Sequence, residues 1–408
     1  MQSIQVIANS KNIGGEVNLP LSKSISNRAL IISAISGGLA HHGPLSDADD
    51  TVLLRKLLRQ VSEGKDHHIN CGNAGTVFRF LTAYLAMTGG SWILDGDERM
   101  RHRPIGPLVD ALLKLGAEII YAGHKGHPPL KINGKLLTGK KVFVNSDTSS
   151  QFISALMMIA PVLPEGLIIE LMEVPASISY IYLTAEMMTM AGADVEQRFP
   201  SIHIPAGAYK KCTLPAEADW SSAAFWHELM ALSDGGQLFL RGLKEGSFQG
   251  DSVLKRYFRS LGVETSYQPE GALITKTRPL NTVINFDLIS CPDLAPAMIV
   301  TGAALGLEGN FTGLNSLRFK ESNRLEAIKN ELGKTGIKCT ITEDSLSFLP
   351  QKMELTQPVD TYNDHRIAMA FAPLAILGKP VTINDPGVVS KSYPTFWREL
   401  QKILNFEF

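Results

Sequence analysis

The sequence predicts an α/β protein of two pseudo-threefold domains, each with three strand–helix repeat units around buried helices, an inside-out α/β barrel. Three observations predict this fold class. Amphipathic segments end at glycines at regular intervals, a second set of helical segments is apolar on all faces, and 408 residues divided among six units give 68 residues each. A chain of this length exceeds one ordinary core, so at least two domains are expected.

The amphipathic segments define the repeat. Four of them end at Gly116, Gly192, Gly262 and Gly336, which are 76, 70 and 74 residues apart. Glycine just after a helix is the usual C-terminal cap, because it adopts the left-handed conformation without a Cβ penalty. A strand-like run, a turn and a second short strand follow each glycine. A shortened copy of the pattern ends at Gly64.

The second set of helices predicts the cores. Helices that are apolar on all faces are buried, so three of them around one axis could form the core of each domain. Each has a polar first turn, and the crossover between its flanking parallel strands should be right-handed. The six segments are SKSISNRALIISAI, GNAGTVFRFLTAYLA, SDTSSQFISALMMIA, EADWSSAAFWHELMAL, CPDLAPAMIVTGAAL and NDHRIAMAFAPLAIL.

The repeat also predicts the domain boundaries. We place the domain change near Pro215, between the third and fourth units. The repeat starts only after Pro20, so the first strand belongs with the second half. The predicted N-terminal domain is therefore 20–215, and the predicted C-terminal domain combines 1–19 with 216–408.

Composition excludes several classes of partner. A net charge of −1 gives no global field for nucleic acid or an anionic membrane. The N-terminal residues lack the apolar core of a signal peptide, and prolines interrupt the most apolar stretch. We expect a cytoplasmic monomer with no nucleic-acid or membrane contacts. Its cysteines show neither metal-ligand spacing nor a disulfide framework, and they are Cys71, Cys212, Cys291 and Cys339.

The helix starts indicate a binding site. Lys23 and Arg28 lie in the first turns of the first buried helix, where the helix dipole disfavours cations. An anionic ligand would resolve this conflict, and the alternative is a solvated base beside a serine cap. If the helices of each domain run alike, their starts converge at an interdomain cleft suited to phosphates or carboxylates. Other helix starts carry Asn73, Gly75, Arg79, Arg103, Ser149, Ser150, Gln151, Lys320, Arg324, His365, Arg366 and Lys391. Pro104, directly after Arg103, is well placed to open a helix.

Two carboxylates also lie at predicted helix starts. Asp293 and Glu321 would be costly beside bound anions unless they transfer protons or bind cationic partners. The alternative is that both are ordinary caps, since Asp and Glu are favoured in a first helical turn. Lys320 and Arg324, spaced i,i+4, are expected on one face of the helix that follows.

Eight motifs span nearly the whole chain, from Ser22 to Trp397, in the order SKSISNRAL, SDADDT, GNAGT, RPIGPLVDAL, SSQFISAL, KESNRL, NDHRIAMAFA and DPGVVSKSYPTFW. Through them the sequence resembles the 5-enolpyruvylshikimate-3-phosphate (EPSP) synthases, or 3-phosphoshikimate 1-carboxyvinyltransferases. The resemblance implies two domains of three repeats and transfer of the enolpyruvyl group of phosphoenolpyruvate to the 5-hydroxyl of shikimate 3-phosphate. It also implies a place in chorismate and aromatic amino acid biosynthesis, sensitivity to glyphosate, and no metal or organic cofactor.

The resemblance implies roles for individual residues. Asp293 would accept the 5-hydroxyl proton, and Glu321 would deliver a proton to the methylene carbon with Lys23 nearby. The residues implied for shikimate 3-phosphate are Lys23, Ser24, Arg28, Ser149, Ser150, Gln151, Ser177, Tyr180, Asp293 and Lys320. Those implied for phosphoenolpyruvate are Lys23, Gly75, Arg103, Gln151, Arg324, His365, Arg366 and Lys391.

The chain departs from the family pattern at a few positions. Leu21 replaces a usual glycine, Phe80 a common proline, and Ser316 a frequent asparagine, while Trp220 is bulky for its helix start. The segment SISY, residues 177–180, replaces a more basic version.

Two other functions are weighed against this one. A sister enolpyruvyl transferase acts on a UDP-amino sugar, but it should carry asparagine after the N-terminal lysine, where this chain has Ser24, and a reactive loop cysteine. A non-catalytic anion-binding module of a related repeat fold should show basic residues interleaved with aromatic ones, which this chain lacks. A phosphate-release assay with each acceptor sugar separates the three functions.

Overall fold

The computed structural model describes residues 2–64, 66–145, 149–172 and 175–404. The chain divides into two compact units, which we call the continuous unit (Ser22–Ala216) and the discontinuous unit (Met1–Leu21 with Glu217–Phe408). Residues 146–148, at the predicted start of the third buried segment, lie outside the described residues.

The elements up to residue 216 alternate between short strands and helices. In chain order they are β1 (Ser3–Val6), β2 (Asn12–Asn18), α1 (Lys23–Ile35), β3 (Ala40–His42), α2 (Asp49–Glu63), β4 (His68–Asn70), α3 (Gly75–Met87), β5 (Gly90–Asp95), α4 (Glu98–Arg101), α5 (Gly106–Lys114), β6 (Glu118–Tyr121), β7 (Leu130–Gly134), β8 (Lys141–Val144), α6 (Ser150–Ile159), β9 (Leu167–Leu171), α7 (Ile178–Met190), β10 (Glu196–Arg198), β11 (Ser201–Ile204) and β12 (Cys212–Leu214).

The alternation continues from residue 217. The elements are α8 (Trp220–Leu232), β13 (Gly235–Arg241), α9 (Leu254–Ser260), β14 (Val263–Gln268), β15 (Gly271–Lys276), β16 (Val283–Asp287), α10 (Ala295–Ala304), β17 (Glu308–Thr312), α11 (Arg324–Lys334), β18 (Cys339–Ile341), β19 (Leu346–Phe348), α12 (His365–Phe371), β20 (Val381–Asn384) and α13 (Phe396–Leu404). Short 3-10 helices include Pro292–Leu294, Asn315–Phe319 and Pro386–Lys391.

One sheet topology recurs within each unit. In the continuous unit the strand orders are β4-β5-β7-β6 and β8-β9-β11-β10, and in the discontinuous unit they are β2-β13-β15-β14 and β16-β17-β19-β18. In every case the first two strands are parallel and the last two form an antiparallel hairpin. A buried helix precedes the second parallel strand, so each sheet is one copy of the predicted repeat.

The remaining repeat of each unit has a shorter sheet. In the continuous unit β3, which follows α1, pairs in parallel with β12 from the end of the unit. In the discontinuous unit β20, which follows α12, pairs antiparallel with β1 and forms a parallel bridge from Ile383 to Val359. A strand from the end of the continuous unit, β12, and a strand from the start of the chain, β1, therefore complete these two repeats.

The apolar helices form the interior. Every residue of α8 is buried, and so is every residue of α12. The core of the discontinuous unit includes Trp220, Phe225 and Trp226. Trp220, which is bulky for a helix start, is thus a core residue. No helix of the described ranges is long and apolar enough to cross a membrane.

The four predicted glycine caps are confirmed. Gly116, Gly192, Gly262 and Gly336 lie two residues after α5, α7, α9 and α11, with φ of 94°, 85°, 89° and 87°. This is the left-handed conformation in which other residues meet a Cβ clash. Gly64, after α2, has φ of 62° and closes the shortened copy.

Two helix starts differ from the prediction. Pro104 does not open a helix: α5 starts at Gly106, and Pro107 takes the second helical position, where the missing N–H costs nothing. Lys320 and Glu321 precede α11 because Asn323 is its N-cap, with Oδ1 accepting from the Glu326 N–H at 3.3 Å. Lys320 and Arg324 are therefore not neighbours on a helix face.

Candidate active site

In the continuous unit the predicted residues gather around the starts of α1, α3, α6 and α7. We call them the continuous-unit group, and they are Lys23, Ser24, Arg28, Gly75, Arg103, Ser149, Ser150, Gln151, Ser177 and Tyr180. Lys23 is the first residue of α1, and its Nζ lies 3.0 Å from Oδ2 of the buried Asp50 in α2. A carboxylate therefore compensates the cation at the positive end of the helix. Asp50 belongs to the quoted motif SDADDT, but its pairing with Lys23 was not predicted.

Arg28 is buried and connects three helices. Its Nε donates to Thr184 Oγ1 at 2.7 Å, one terminal nitrogen donates to the Ser24 carbonyl at 3.0 Å, and the other donates to Ser154 Oγ at 3.1 Å and the Tyr180 carbonyl at 3.3 Å. These partners are all neutral. Burial lowers the pKa of Arg28 to about 10.

Two aromatic rings complete the surroundings of Arg28. Its guanidinium carbon lies 5.4 Å from the centre of the Phe80 ring and 5.7 Å from that of Tyr180. Phe80, a departure from the family pattern, is thus a cation–π partner of a predicted binding residue. No carboxylate of the described residues forms an ion pair with Arg28, so an anion bound there would neutralise a buried charge.

Gly75 and Arg103 touch each other. Gly75 is the first residue of α3, and a Cβ added to it would lie 2.6 Å from a guanidinium nitrogen of Arg103. The space above Gly75 is therefore filled by the Arg103 guanidinium, whose other terminal nitrogen donates to the Asn73 carbonyl at 3.5 Å. Any side chain at position 75 would displace this cation.

Gln151 joins the starts of α3 and α6. Its Nε2 donates to Thr76 Oγ1 at 2.9 Å, and its Oε1 accepts from a terminal nitrogen of Arg79 at 2.5 Å. Ser149 is the N-cap of α6, with Oγ accepting from the Gln151 N–H at 3.3 Å, and Ser150 follows it. Two of the predicted helix starts are thus held together by one side-chain amide.

Ser177 and Tyr180 lie at the start of α7. Ser177 is the N-cap and has φ of 60°, which is unusual for a residue other than glycine. Its hydroxyl makes no cap hydrogen bond with the helix. The Tyr180 carbonyl accepts from Arg28, so this segment joins the same cluster.

In the discontinuous unit the predicted residues form one charge network, which we call the discontinuous-unit group: Asp293, Lys320, Glu321, Arg324, His365, Arg366 and Lys391. Asp293, in the 3-10 turn before α10, contacts three cations: its Oδ1 lies 2.9 Å from Arg324 and 3.3 Å from Lys320 Nζ, and its Oδ2 lies 3.1 Å from Arg366. Burial raises the pKa of Asp293, but the three cations outweigh burial and hold it well below its usual range.

Arg324 is the centre of this network. Its guanidinium, 1% exposed, donates to Asp364 Oδ2 at 2.7 Å, to Asp293 Oδ1 at 2.9 Å and to Glu321 Oε2 at 2.7 Å. Burial alone would lower the pKa of Arg324, but these carboxylates raise it. Both candidate proton-transfer groups are thus bound by one guanidinium.

The other members lie around these carboxylates. Lys391 Nζ lies 4.0 Å from Glu321 Oε1. His365 and Arg366 begin α12, and the Arg366 guanidinium also donates to the Asp293 carbonyl at 3.1 Å. Burial lowers the pKa of Lys320, which Asp293 partly opposes.

Asp251 is a buried acid whose pKa is influenced by Asp293, and the sequence did not indicate it. It is buried, it accepts a hydrogen bond from Ser221 through Oδ2, and its Oδ1 has no hydrogen-bond partner among the described residues. Burial, together with the Asp293 carboxylate, raises the pKa of Asp251 to about 7. Its motif FQGDS contains only one charged residue, so nothing in the spacing connects it with Asp293.

This arrangement can bind anions and move protons. Cations, backbone N–H groups at helix starts and hydroxyls suit phosphate and carboxylate ligands, and two carboxylates with different partners suit acid and base roles. A repeat fold of this kind, with such groups at its helix starts, defines a transferase for anionic substrates.

Comparison with known proteins gives the particular family. Residues 40–400 match the family model described as EPSP synthase (3-phosphoshikimate 1-carboxyvinyltransferase). A 3-phosphoshikimate 1-carboxyvinyltransferase of Bacteroides fragilis is 43% identical over 394 residues, which is 96% of this chain and 95% of the relative. One of Colwellia psychrerythraea is 35% identical, over 96% and 97% of the two chains.

The fold agrees with this similarity. A solved EPSP synthase structure from Acinetobacter baumannii superposes with a TM-score of 0.77 at 23% identity, over 98% of each chain. The chain belongs to the EPSP synthase family. It is an enolpyruvyl transferase of the shikimate pathway, and the reaction of its family joins phosphoenolpyruvate to shikimate 3-phosphate with release of phosphate.

Proposed function

We propose that residues of both groups together carry out this reaction. Shikimate 3-phosphate is bound by Lys23, Ser24, Arg28, Ser149, Ser150, Gln151, Ser177 and Tyr180, with Lys320 and Asp293. Phosphoenolpyruvate is bound by Lys23, Gly75, Arg103, Gln151, Arg324, His365, Arg366 and Lys391. The cations that contact carboxylates in the free enzyme exchange part of those contacts for substrate phosphate and carboxylate oxygens.

The chemistry has two stages. Glu321 protonates the methylene carbon of phosphoenolpyruvate, which makes C2 electrophilic, while Asp293 takes the proton of the attacking 5-hydroxyl. The new C–O bond gives a tetrahedral ketal phosphate. Phosphate then leaves with the electrons of its C–O bond, and loss of a methyl proton restores the double bond. Lys23 lies near the transferred proton, and the cations stabilise the leaving phosphate.

The observation that carries the proposal is the shared guanidinium of Arg324. It lies 2.9 Å from Asp293 and 2.7 Å from Glu321. An acid and a base that act on the two partners of one bond-forming step must lie close together, yet two carboxylates in contact would disfavour each other's charge. A guanidinium between the two carboxylates offsets their repulsion, so both can be charged in a buried position.

The same contacts account for the timing of base catalysis. A carboxylate held by three cations is a weak base, because its charged form is stabilised. When substrate anions attract Arg324, Arg366 and Lys320, that stabilisation falls and Asp293 becomes more basic. Asp293 therefore becomes an effective base only when the substrates are bound.

The proposal is tested by steady-state phosphate release from phosphoenolpyruvate. Shikimate 3-phosphate should support turnover, and a UDP-N-acetyl amino sugar should not. Turnover with the sugar nucleotide alone would assign the site to the sister reaction. Absence of release with either acceptor, in a protein that binds both anions, would assign it to anion binding without catalysis.

We further propose an arrangement of the buried helices, an oligomeric state and a cellular compartment for this enzyme. Three buried helices in each unit form the centre of an inside-out α/β barrel, a cytoplasmic monomer acts alone, and no metal ion or organic cofactor takes part. The repeated sheet topology supports the proposed architecture. The free thiols of the described cysteines support a reducing compartment such as the cytoplasm. We expect sedimentation at working concentration to give the mass of a monomer. We also expect chelators to leave the enzyme's activity unchanged.

A further inference from the structure

The segment before α12 has an unusual backbone. Residues 360–363, which we call the 360–363 turn, lead from the parallel bridge at Val359 to the N-cap of α12, Asp364. Tyr362 has φ of 54° and Asn363 has φ of 55°. Asparagine tolerates the left-handed region, but for a bulky residue it is an outlier that the surrounding structure must impose.

Glu331 in α11 is placed to impose it. Its side chain is fully buried, its Oε1 accepts from the Tyr362 hydroxyl at 2.7 Å, and its Oε2 accepts from the Asp360 N–H at 3.2 Å. One carboxylate thus binds the turn at its first residue and at its strained third residue. These hydrogen bonds fix the backbone and the tyrosine side chain together.

Lys334, one turn further along α11, reinforces this clamp. Its Nζ lies 2.9 Å from Glu331 Oε1 and 2.7 Å from Asp360 Oδ2, and it donates to the Pro358 carbonyl at 3.2 Å. On the other side, Asn384 Nδ2 donates to Asp360 Oδ1 at 2.8 Å. The start of the turn is therefore held from α11 and from β20.

The end of the turn sets the proposed catalytic network. The Asp364 N–H donates to the Thr361 carbonyl at 2.8 Å, so the turn fixes where α12 begins. The Asp364 carboxylate caps α12 through the Arg366 N–H at 3.0 Å and accepts from Arg324 at 2.7 Å. A change in the turn would therefore move His365 and Arg366 relative to Asp293.

We propose that Glu331 is a positioning residue, which holds the left-handed 360–363 turn and thereby orients His365 and Arg366 for phosphoenolpyruvate. The inference rests on the proposed assignment of Arg366 to that substrate. Glu331 lies in α11 behind the turn and acts only through these contacts. A carboxylate used merely to stabilise α11 would need no contact with Tyr362 or Asp360.

The test is Glu331→Gln in the full chain. One amide oxygen cannot replace two carboxylate oxygens, and the ion pair with Lys334 is lost. We expect KM for phosphoenolpyruvate to rise about five- to twentyfold and kcat to fall about three- to tenfold, with KM for shikimate 3-phosphate within about twofold. Glu326→Gln makes the same change at a half-exposed position of α11, where the carboxylate faces Lys329, and should leave all three constants unchanged.

A double-mutant cycle shows whether Glu331 acts through Arg366. We expect Glu331→Gln and Arg366→Lys each to raise KM for phosphoenolpyruvate, and the double variant to raise it clearly less than the product of the two. Fully multiplicative effects, or a fall in melting temperature with unchanged KM, would overturn the positioning role. Tyr362→Phe should shift KM in the same direction by a smaller factor.

The cycle also separates this inference from the site assignment. If Arg366→Lys raises KM for phosphoenolpyruvate and Glu331→Gln does not, the positioning role is wrong and the assignment of Arg366 stands. If Arg366→Lys leaves KM unchanged while Glu331→Gln lowers kcat and speeds hydrogen exchange at the Asp364 amide, the assignment of Arg366 is wrong and positioning by Glu331 stands.

Discussion

At the scale of single residues, the properties of Asp293 depend on its partners. Lys320, Arg324 and Arg366 keep it ionised, so it is available as a base over a wide pH range but is weak until those cations bind substrate. Its function therefore cannot be inferred from its burial alone, because a capping aspartate in a turn would look similar.

Asp293→Asn tests whether this carboxylate acts as the base. The amide keeps the size and the hydrogen bonds to Arg324 but cannot accept the hydroxyl proton. We expect kcat to fall roughly 10²–10⁴-fold, the usual range for a general acid–base group, with little change in KM. Steady-state kinetics with circular dichroism as a folding control gives the answer. A folded variant with near-normal kcat would make Asp293 an ordinary cap.

Asp251 gives a prediction for pH. Its pKa of about 7 in the folded protein exceeds the ordinary value of about 4 in the unfolded chain. Above pH 4 the unfolded chain loses this proton while the folded protein keeps it until about pH 7. Each rise in pH within that window therefore favours unfolding, and the penalty is complete above it.

Asp251→Asn removes this penalty. The gain in unfolding free energy of the variant over the wild type should grow with pH between 5 and 7, by at most about 1.4 kcal/mol per unit, and then level off. Chemical denaturation at pH 5, 6, 7 and 8 measures it. Asp194→Asn, at an exposed position, is the matched control for the change from aspartate to asparagine. A flat difference for Asp251→Asn would show that Asp251 is ionised in the folded protein.

At the scale of elements, local chemistry was enough to predict the repeat. The glycines after α5, α7, α9 and α11 all have positive φ, because helix termination is a local backbone requirement. Helices α8 and α12 are buried because they have no polar face to turn toward solvent. The starts of α5 and α11 were predicted wrongly because Pro104 and Glu321 are also residue types that suit a helix start. In the structure Pro107 takes the second helical position of α5, and Asn323 is the N-cap of α11.

The pairing of site residues was harder to predict. Lys23 meets Asp50 across 27 residues, and Arg366 meets Asp293 across 73. Such contacts depend on how helices that are distant along the chain pack, which spacing along the chain does not encode. The sequence therefore indicated the residue types at the site through a family resemblance, but not the partners that set their charge.

Helix α8 carries a buried acid that the fold tolerates at a cost. Glu228 is fully buried, neither of its carboxylate oxygens has a hydrogen-bond partner among the described residues, and burial raises its pKa well above the usual range. We predict that Glu228→Met stabilises the protein by about 1–3 kcal/mol, because it removes an unpaired polar group at similar volume.

Thermal unfolding of Glu228→Met at pH 8 measures this effect. Glu228→Gln is the matched control, since it keeps a polar group of the same shape and should gain much less. Loss of stability in the methionine variant would contradict the prediction and indicate a polar partner for Glu228.

At the scale of the whole molecule, a chain with a net charge of −1 concentrates cations at two groups, one in each unit. Arg28 in the continuous unit has only neutral partners among the described residues, whereas Arg324 in the discontinuous unit is bound by three carboxylates. The first group is therefore suited to gripping an anion, and the second to combining anion binding with proton transfer.

This difference predicts separate effects of Arg28 and Lys391 on the two substrates. Arg28→Ala removes a charge-assisted contact worth about 1.5–3 kcal/mol, so KM for shikimate 3-phosphate should rise roughly 10- to 150-fold, while KM for phosphoenolpyruvate changes much less. Because Arg28 also joins α1, α6 and α7, the variant should lose stability, and circular dichroism with saturating substrate distinguishes misfolding from weak binding.

Lys391→Ala is the matched variant in the discontinuous unit and should raise KM for phosphoenolpyruvate instead. Equal effects of each variant on both substrates would contradict the assignment of Arg28 to shikimate 3-phosphate and of Lys391 to phosphoenolpyruvate.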